Sequence, residues 1–136
     1  MTAAAVPPTP SSLTIARTKL AESLALDDLT VAPSLDAIKA LPAILVDPSY
    51  QWLDGSTDSG PGRVVHFEIE ARVVVNAQEP IGALANLESY VELVLGRIPR
   101  HWRFARAEAP SRVQAIGGEI TALASSLFMS TRYSIL

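Results

Sequence analysis

His66, Glu68 and Glu70 are the three side chains whose types and spacing most resemble a metal site. They stand at alternate positions of one stretch. On a strand such neighbours share a face ~6–7 Å apart, so three in line span ~13 Å. An ion with bonds of ~2.0–2.2 Å takes two of them, hardly all three. The plainer reading is a solvated sheet face, or one paired with Arg72 and a neighbouring strand.

A second constellation is basic. Arg97, Arg100, His101, Arg103, Arg106 and Arg112 are interleaved with Trp102 and Phe104. Arginine beside aromatic rings can contact phosphates and stack bases. Arginines that follow a helix also favour its negative dipole end, and arginine is common in protein interfaces. An ordered protein interface is the favoured reading. Gly117-Gly118 lacks the glycine pattern, lysine and following helix of a phosphate loop, and reads as a turn. Neither His66 nor His101 sits in a nucleophile motif. No catalytic residue, metal ligand or cofactor is assigned, and the chain is read as a non-enzyme.

Composition narrows the class further. The chain has 136 residues, a net charge of −3 and no cysteine. One domain with a real core fits that length. A disulfide framework, a thiol nucleophile and a cysteine zinc site are excluded. The weak net charge gives no overall field toward nucleic acid or an anionic membrane. Residues 1–10 have no basic n-region or apolar h-region, and no apolar run approaches the ~20 residues of a membrane span. A soluble protein in a cytoplasm-like compartment is expected.

The elements that must position these groups centre on residues 63–98. Val65, Phe67, Ile69, Ala71, Val73 and Val75 alternate with His66, Glu68, Glu70 and Arg72, which predicts a strand with one buried and one wet face. Past Pro80, Leu84, Leu87, Val91, Val94 or Leu95, and Ile98 recur at helical spacing. Pro99 stops that helix. The predicted core sets Val65, Phe67, Ile69 and Val73 against Leu84, Leu87, Val91 and Leu95.

Ahead of this pair, residues 1–11 form a small, proline-rich arm expected to be disordered. A helix over residues 12–26 follows, capped by Ser11 or Ser12. Residues 29–31 suggest a short strand, and residues 41–46 a strand that starts at a proline. Residues 50–62 have loop chemistry and predict a long hairpin connection, with Tyr50, Trp52 and Leu53 able to continue the strand at its base. Behind the pair, residues 102–107 read as a strand, 110–114 as a connection, and 119–136 as a long final strand. The fold class is α+β: a mainly antiparallel sheet, two helices packed on one face and a long hairpin loop, with residues 12–136 as a single domain.

This order resembles that of the tail terminator proteins of long-tailed bacteriophages and related tail-completion or neck proteins. The likeness runs from the first helix through Leu41-Pro42, the loop after Tyr50, the central strand and helix, and the last strand after Gly117-Gly118. The basic stretch with Trp102 departs from the pattern. The resemblance implies a homo-oligomeric ring, expected to be a hexamer, at the tail-neck junction of the virion. That ring would cap the tail tube, end its polymerisation and meet a head-side connector or stopper protein. It implies no cofactor and no membrane, with DNA met only by passage through the channel. Arg97, Arg100, Arg103, Arg106, Glu68 and Glu70 are the subunit-interface candidates, with Asp27, Asp28 and Glu79 as further acidic partners. Tyr50, Trp52, Asp54 and Asp58 are candidates for the loop that touches the tube. The alternatives are a head-completion or connector protein, a small-ligand-binding domain and a metal-dependent enzyme.

Overall fold

The computed structural model describes residues 11–26, 28–32, 38–54 and 63–135. The expected N-terminal arm therefore lies outside the described residues, apart from Ser11. Ser11 is the helix cap: its Oγ accepts from the Thr14 amide at 3.1 Å. Helix α1 (Ser12–Leu24) buries Leu20 and Leu24, four residues apart on one face. It ends two residues before the expected boundary.

Strand β1 (Thr30–Ala32) pairs in parallel with β2 (Ala43–Asp54), so the sheet is mixed. Strand β3 (Arg63–Asn76) pairs antiparallel with β2 and, along its whole length, with β6 (Ile120–Ile135). Helix α2 (Ala83–Gly96) follows β3. Strands β4 (Arg103–Ala107) and β5 (Ser111–Ala115) both pair with β6. Because β3 occupies one edge of β6, β4 and β5 share the other as one broken edge strand. The Glu108 amide bridges the break by donating to Ser126 O at 2.8 Å. The order across the sheet is β1-β2-β3-β6-β4, with β5 beside β4. No helix among the described residues is long and apolar enough to cross a membrane.

Alternation along β3 divides the side chains as the sequence predicts. The odd positions Phe67, Ile69, Ala71, Val73 and Val75 join Leu20 and Leu24 of α1, Leu87 and Val94 of α2, and Leu127 and Met129 of β6 in one cluster. The other face is drier than expected. Val74 is fully buried there, in a second cluster with Ala43, Leu45, Ala115, Ala122 and Ala124. Small side chains let neighbouring segments close over that end of the sheet.

Two expectations need correction and a third holds. Residues 110–114 are mostly strand β5, whose short exposed stretch buries only Ala115. Strand β2 continues to Asp54 across a register shift between Pro48 and Leu53, in line with the expected continuation through Tyr50, Trp52 and Leu53. Leu84 is 51% exposed and does not belong to the core. Ala83 takes the buried position at the start of α2, because Gly82, with φ of 86°, begins the helix one residue earlier.

Candidate functional site

His66, Glu68, Glu70 and Arg72 share the face of β3 opposite the larger core, where Glu70 and Arg72 belong to a structural network. Glu70 Oε2 accepts from Ser126 Oγ at 2.7 Å and from the Arg72 guanidinium at 3.0 Å. Arg72 and Ser126 are cross-strand partners, which brings all three together over adjacent strands. Glu68 sits one step along. Its Oε1 is buried without a hydrogen bond, 4.0 Å from an Arg106 guanidinium nitrogen. Arg106 lies over the Phe128 ring at 4.1 Å, a cation–π contact from edge strand to neighbour. Among the described residues, no group of three or more His, Asp or Glu is placed to hold a metal ion.

Asp47 faces Glu70 across the β2–β3 pair. Its carboxyl is pushed above its ordinary value of 3.8 by burial first and by Glu70 second, partly offset by Arg72 and Arg17. A raised carboxyl binds its proton more tightly in the folded state. Its stabilising contribution is therefore present below 3.8 and lost as pH rises through the folded value. At neutral pH the ionised group is a net cost. Asp47→Asn is expected to raise the melting temperature at neutral pH, with the gain shrinking toward zero on acidification. Thermal unfolding of both proteins across that range checks the sign.

The basic stretch divides into used and unused members. Arg97 Nε donates to Ser23 O at 2.9 Å and ties the end of α2 to α1. Arg106 is committed to Glu68 and Phe128. Trp102 is 5% exposed, and its ring centroid lies 5.6 Å from that of Phe67. It is a core residue, unavailable for stacking on a base. Arg97, Arg106, Glu68 and Glu70 thus each have a partner within the chain, while the Arg97 and Arg106 side chains remain exposed at the surface. Of the further acidic candidates, Asp28 accepts from the Tyr90 hydroxyl at 2.6 Å, a bond that raises the Tyr90 pKa, followed by burial and the Asp28 charge. Asp27 lies outside the described residues, and Glu79 is exposed beside the β3–α2 turn. Arg100, Arg103 and Arg112 are exposed and form no ion pair with another described residue.

Of the loop candidates, Tyr50, Trp52 and Asp54 stand on β2, and Asp58 lies outside the described residues. Trp52 is 43% exposed and Leu53 38%. Neither the family models nor the curated proteins contain a match to this chain. Function therefore rests on its own surfaces.

One of these was not foreseen. A groove of about 610 Å³ opens between α2 and the β4–β5 bend. Leu84, Leu87, Val91 and Leu95 form its helical wall, Ala107 and Pro110 stand opposite, and Glu88, Glu92 and Glu108 add carboxylates. Leu84 and Pro110 also border a second hollow of about 350 Å³ that reaches Arg112. The sequence did carry a signal for it. Leu84 borders the groove yet lies outside the buried stripe of α2, and a helix apolar beyond one stripe has more than one surface to cover.

Proposed function

We propose that this chain is a structural virion protein that closes into a ring on the end of a phage tail tube. The ring ends tail polymerisation and provides the surface for head–tail joining. In this reading both helices lie on one face of the sheet. The long hairpin of β2 and β3, with Tyr50, Trp52, Asp54 and Asp58, reaches toward the tube.

One observation carries the reading: among the described residues neither edge of the sheet is covered by a further strand, and the two edges are unlike. On one side β1 covers only Ala43, Ile44 and Leu45 of β2. On the other side β4 and β5 form a broken, exposed edge beside the groove. Two different surfaces at opposite ends of a strand order can meet head to tail. Such a heterologous contact gives a ring when the rotation closes. The arginines and the β4 bulge suit an edge that resists indiscriminate pairing.

The test is tube growth in the presence of the purified chain. Rings at one tube end and arrested elongation are expected by electron microscopy. Tubes that overgrow with the chain still monomeric remove the reading.

A further inference from the structure

Trp102 carries an unsatisfied donor. Its backbone N–H donates to Pro99 O at 3.0 Å and its ring packs against Phe67, but its indole N–H meets no acceptor among the described residues. Nor is that nitrogen sealed in the core. Among the described residues, Glu68 Oε1 is the only buried side-chain nitrogen or oxygen without a partner, so the small exposed part of Trp102 includes its indole nitrogen. A tryptophan this buried usually finds an acceptor for its N–H.

Trp102 borders a groove of about 230 Å³ between α1 and the turn that follows α2. Ser12, Ile15 and Ala16 form one wall, and Pro99, His101 and Trp102 the other. Ile15 is exposed there, away from the helix face that buries Leu20 and Leu24. No carboxylate among the described residues lines the groove. Its occupant must therefore be apolar and must bring a carbonyl oxygen that is free to accept.

The chain supplies such a segment next to the groove. Val6-Pro7-Pro8-Thr9-Pro10 directly precedes the helix cap and has no charged side chain. Proline-rich sequence of this spacing favours polyproline II, whose carbonyls are free of internal hydrogen bonds, and it docks in aromatic-lined grooves. The cap has the matching backbone: Ser11, at φ −65° and ψ 158°, lies in the same extended region. Pro10 stands just before that cap, and Ile15 is the fourth residue of α1. Those two positions pack together in a hydrophobic staple, which fixes the angle at which a chain enters its helix. From Pro10 back to Pro7, polyproline II covers ~9 Å.

We infer that Pro7–Pro10 crosses this groove in its own molecule, with Pro10 on Ile15 and a carbonyl near Pro7 accepting from the Trp102 indole N–H. The segment then straps the start of α1 to the α2–β4 turn. The strap acts within one copy and does not depend on the ring reading. Tethering lets a weak contact suffice, because a segment joined to its site meets it at an effective concentration on the order of millimolar.

The test is exchange of the indole proton with water, followed by NMR in the full-length chain. There are two tryptophans, so Trp52→Phe leaves the Trp102 signal alone. Combining Pro7→Gly, Pro8→Gly and Pro10→Gly should speed that exchange about tenfold, the upper net worth of one hydrogen bond. Ile15→Glu should act in the same direction, since it places a charge beneath Pro10. The backbone amides of Leu20 and Leu24 should exchange as before in both variants, which separates a lost strap from a loosened helix. Indole exchange that is equal with and without the three prolines would overturn the inference. Protection that fades on dilution, in step with a falling solution mass, would place a second copy's segment in the groove and overturn the assignment to one molecule.

Discussion

Phe67→Ala is expected to lower the unfolding free energy by about 3–5 kcal/mol, the usual cost of an aromatic-to-alanine cavity. Phe67 is 1% exposed at the centre of β3, between two paired strands. Its ring meets Trp102 at 5.6 Å and Tyr133 at 6.3 Å between centroids. Those neighbours come from the segment before β4 and from β6, so three separate parts of the chain lose contacts together. Local collapse cannot readily fill the hole, because β6 holds its register with β3 along the whole strand. Urea unfolding followed by circular dichroism measures the loss. A value under ~1 kcal/mol would mean that Phe67 is not at the centre of the core, since a one-residue slip in register exchanges the faces of β3.

The parts of the fold that were legible in the sequence are those where burial differs sharply between neighbours. Along β3 each buried Val, Phe or Ile alternates with a charged side chain over eight residues, so the strand, its register and its core face were all readable. The final strand was readable for a related reason, with Leu127 and Met129 on the same face. Strand β5 was not. Ser111, Arg112 and Gln114 are exposed on an edge, and only Val113 and Ala115 mark the alternation. The second cluster was hidden because alanine carries it: Ala43, Ala115, Ala122 and Ala124 bury little area each and give no clear periodic signal.

The candidate site was less legible than the fold, for a different reason. Sequence grouped Arg97, Arg100, Arg103 and Arg106 because they are near one another in the chain. The fold sorts them by direction. Arg103 and Arg106 are three residues apart and both exposed, yet Arg106 covers Phe128 and faces Glu68 while Arg103 forms no ion pair among the described residues. The groove needed tertiary information, since its walls come from α2 and from a bend more than ten residues later. Pattern can show that α2 has excess apolar surface. It cannot show what stands opposite.

The same division of labour within the basic stretch makes the last prediction sharp. Trp102→Ala is expected to cost about 3–5 kcal/mol, although Trp102 is flanked by His101 and Arg103 in the most basic segment of the chain. Its indole is buried against Phe67, and the backbone around it is fixed at two points: Trp102 N donates to Pro99 O at 3.0 Å, and Thr131 Oγ1 donates to His101 O at 2.8 Å. Arg100→Glu with Arg103→Glu, two positions on either side of that anchor, should move stability by no more than ~0.5 kcal/mol, because exposed side chains with no ion pair among the described residues contribute little. Their effect belongs to assembly, where reversed charge on the β4 flank is expected to weaken ring formation and to do so less at high salt. Phe67 and Trp102 touch, so their truncations should not add. Removing the second ring from an already open core costs less than removing it from an intact one. A double-mutant cycle by urea unfolding measures that coupling, expected at about 1 kcal/mol for an aromatic pair. Additive losses would place Trp102 outside the Phe67 core. A destabilised Arg100→Glu, Arg103→Glu protein would return the whole stretch to the fold and leave its surface without a role in assembly.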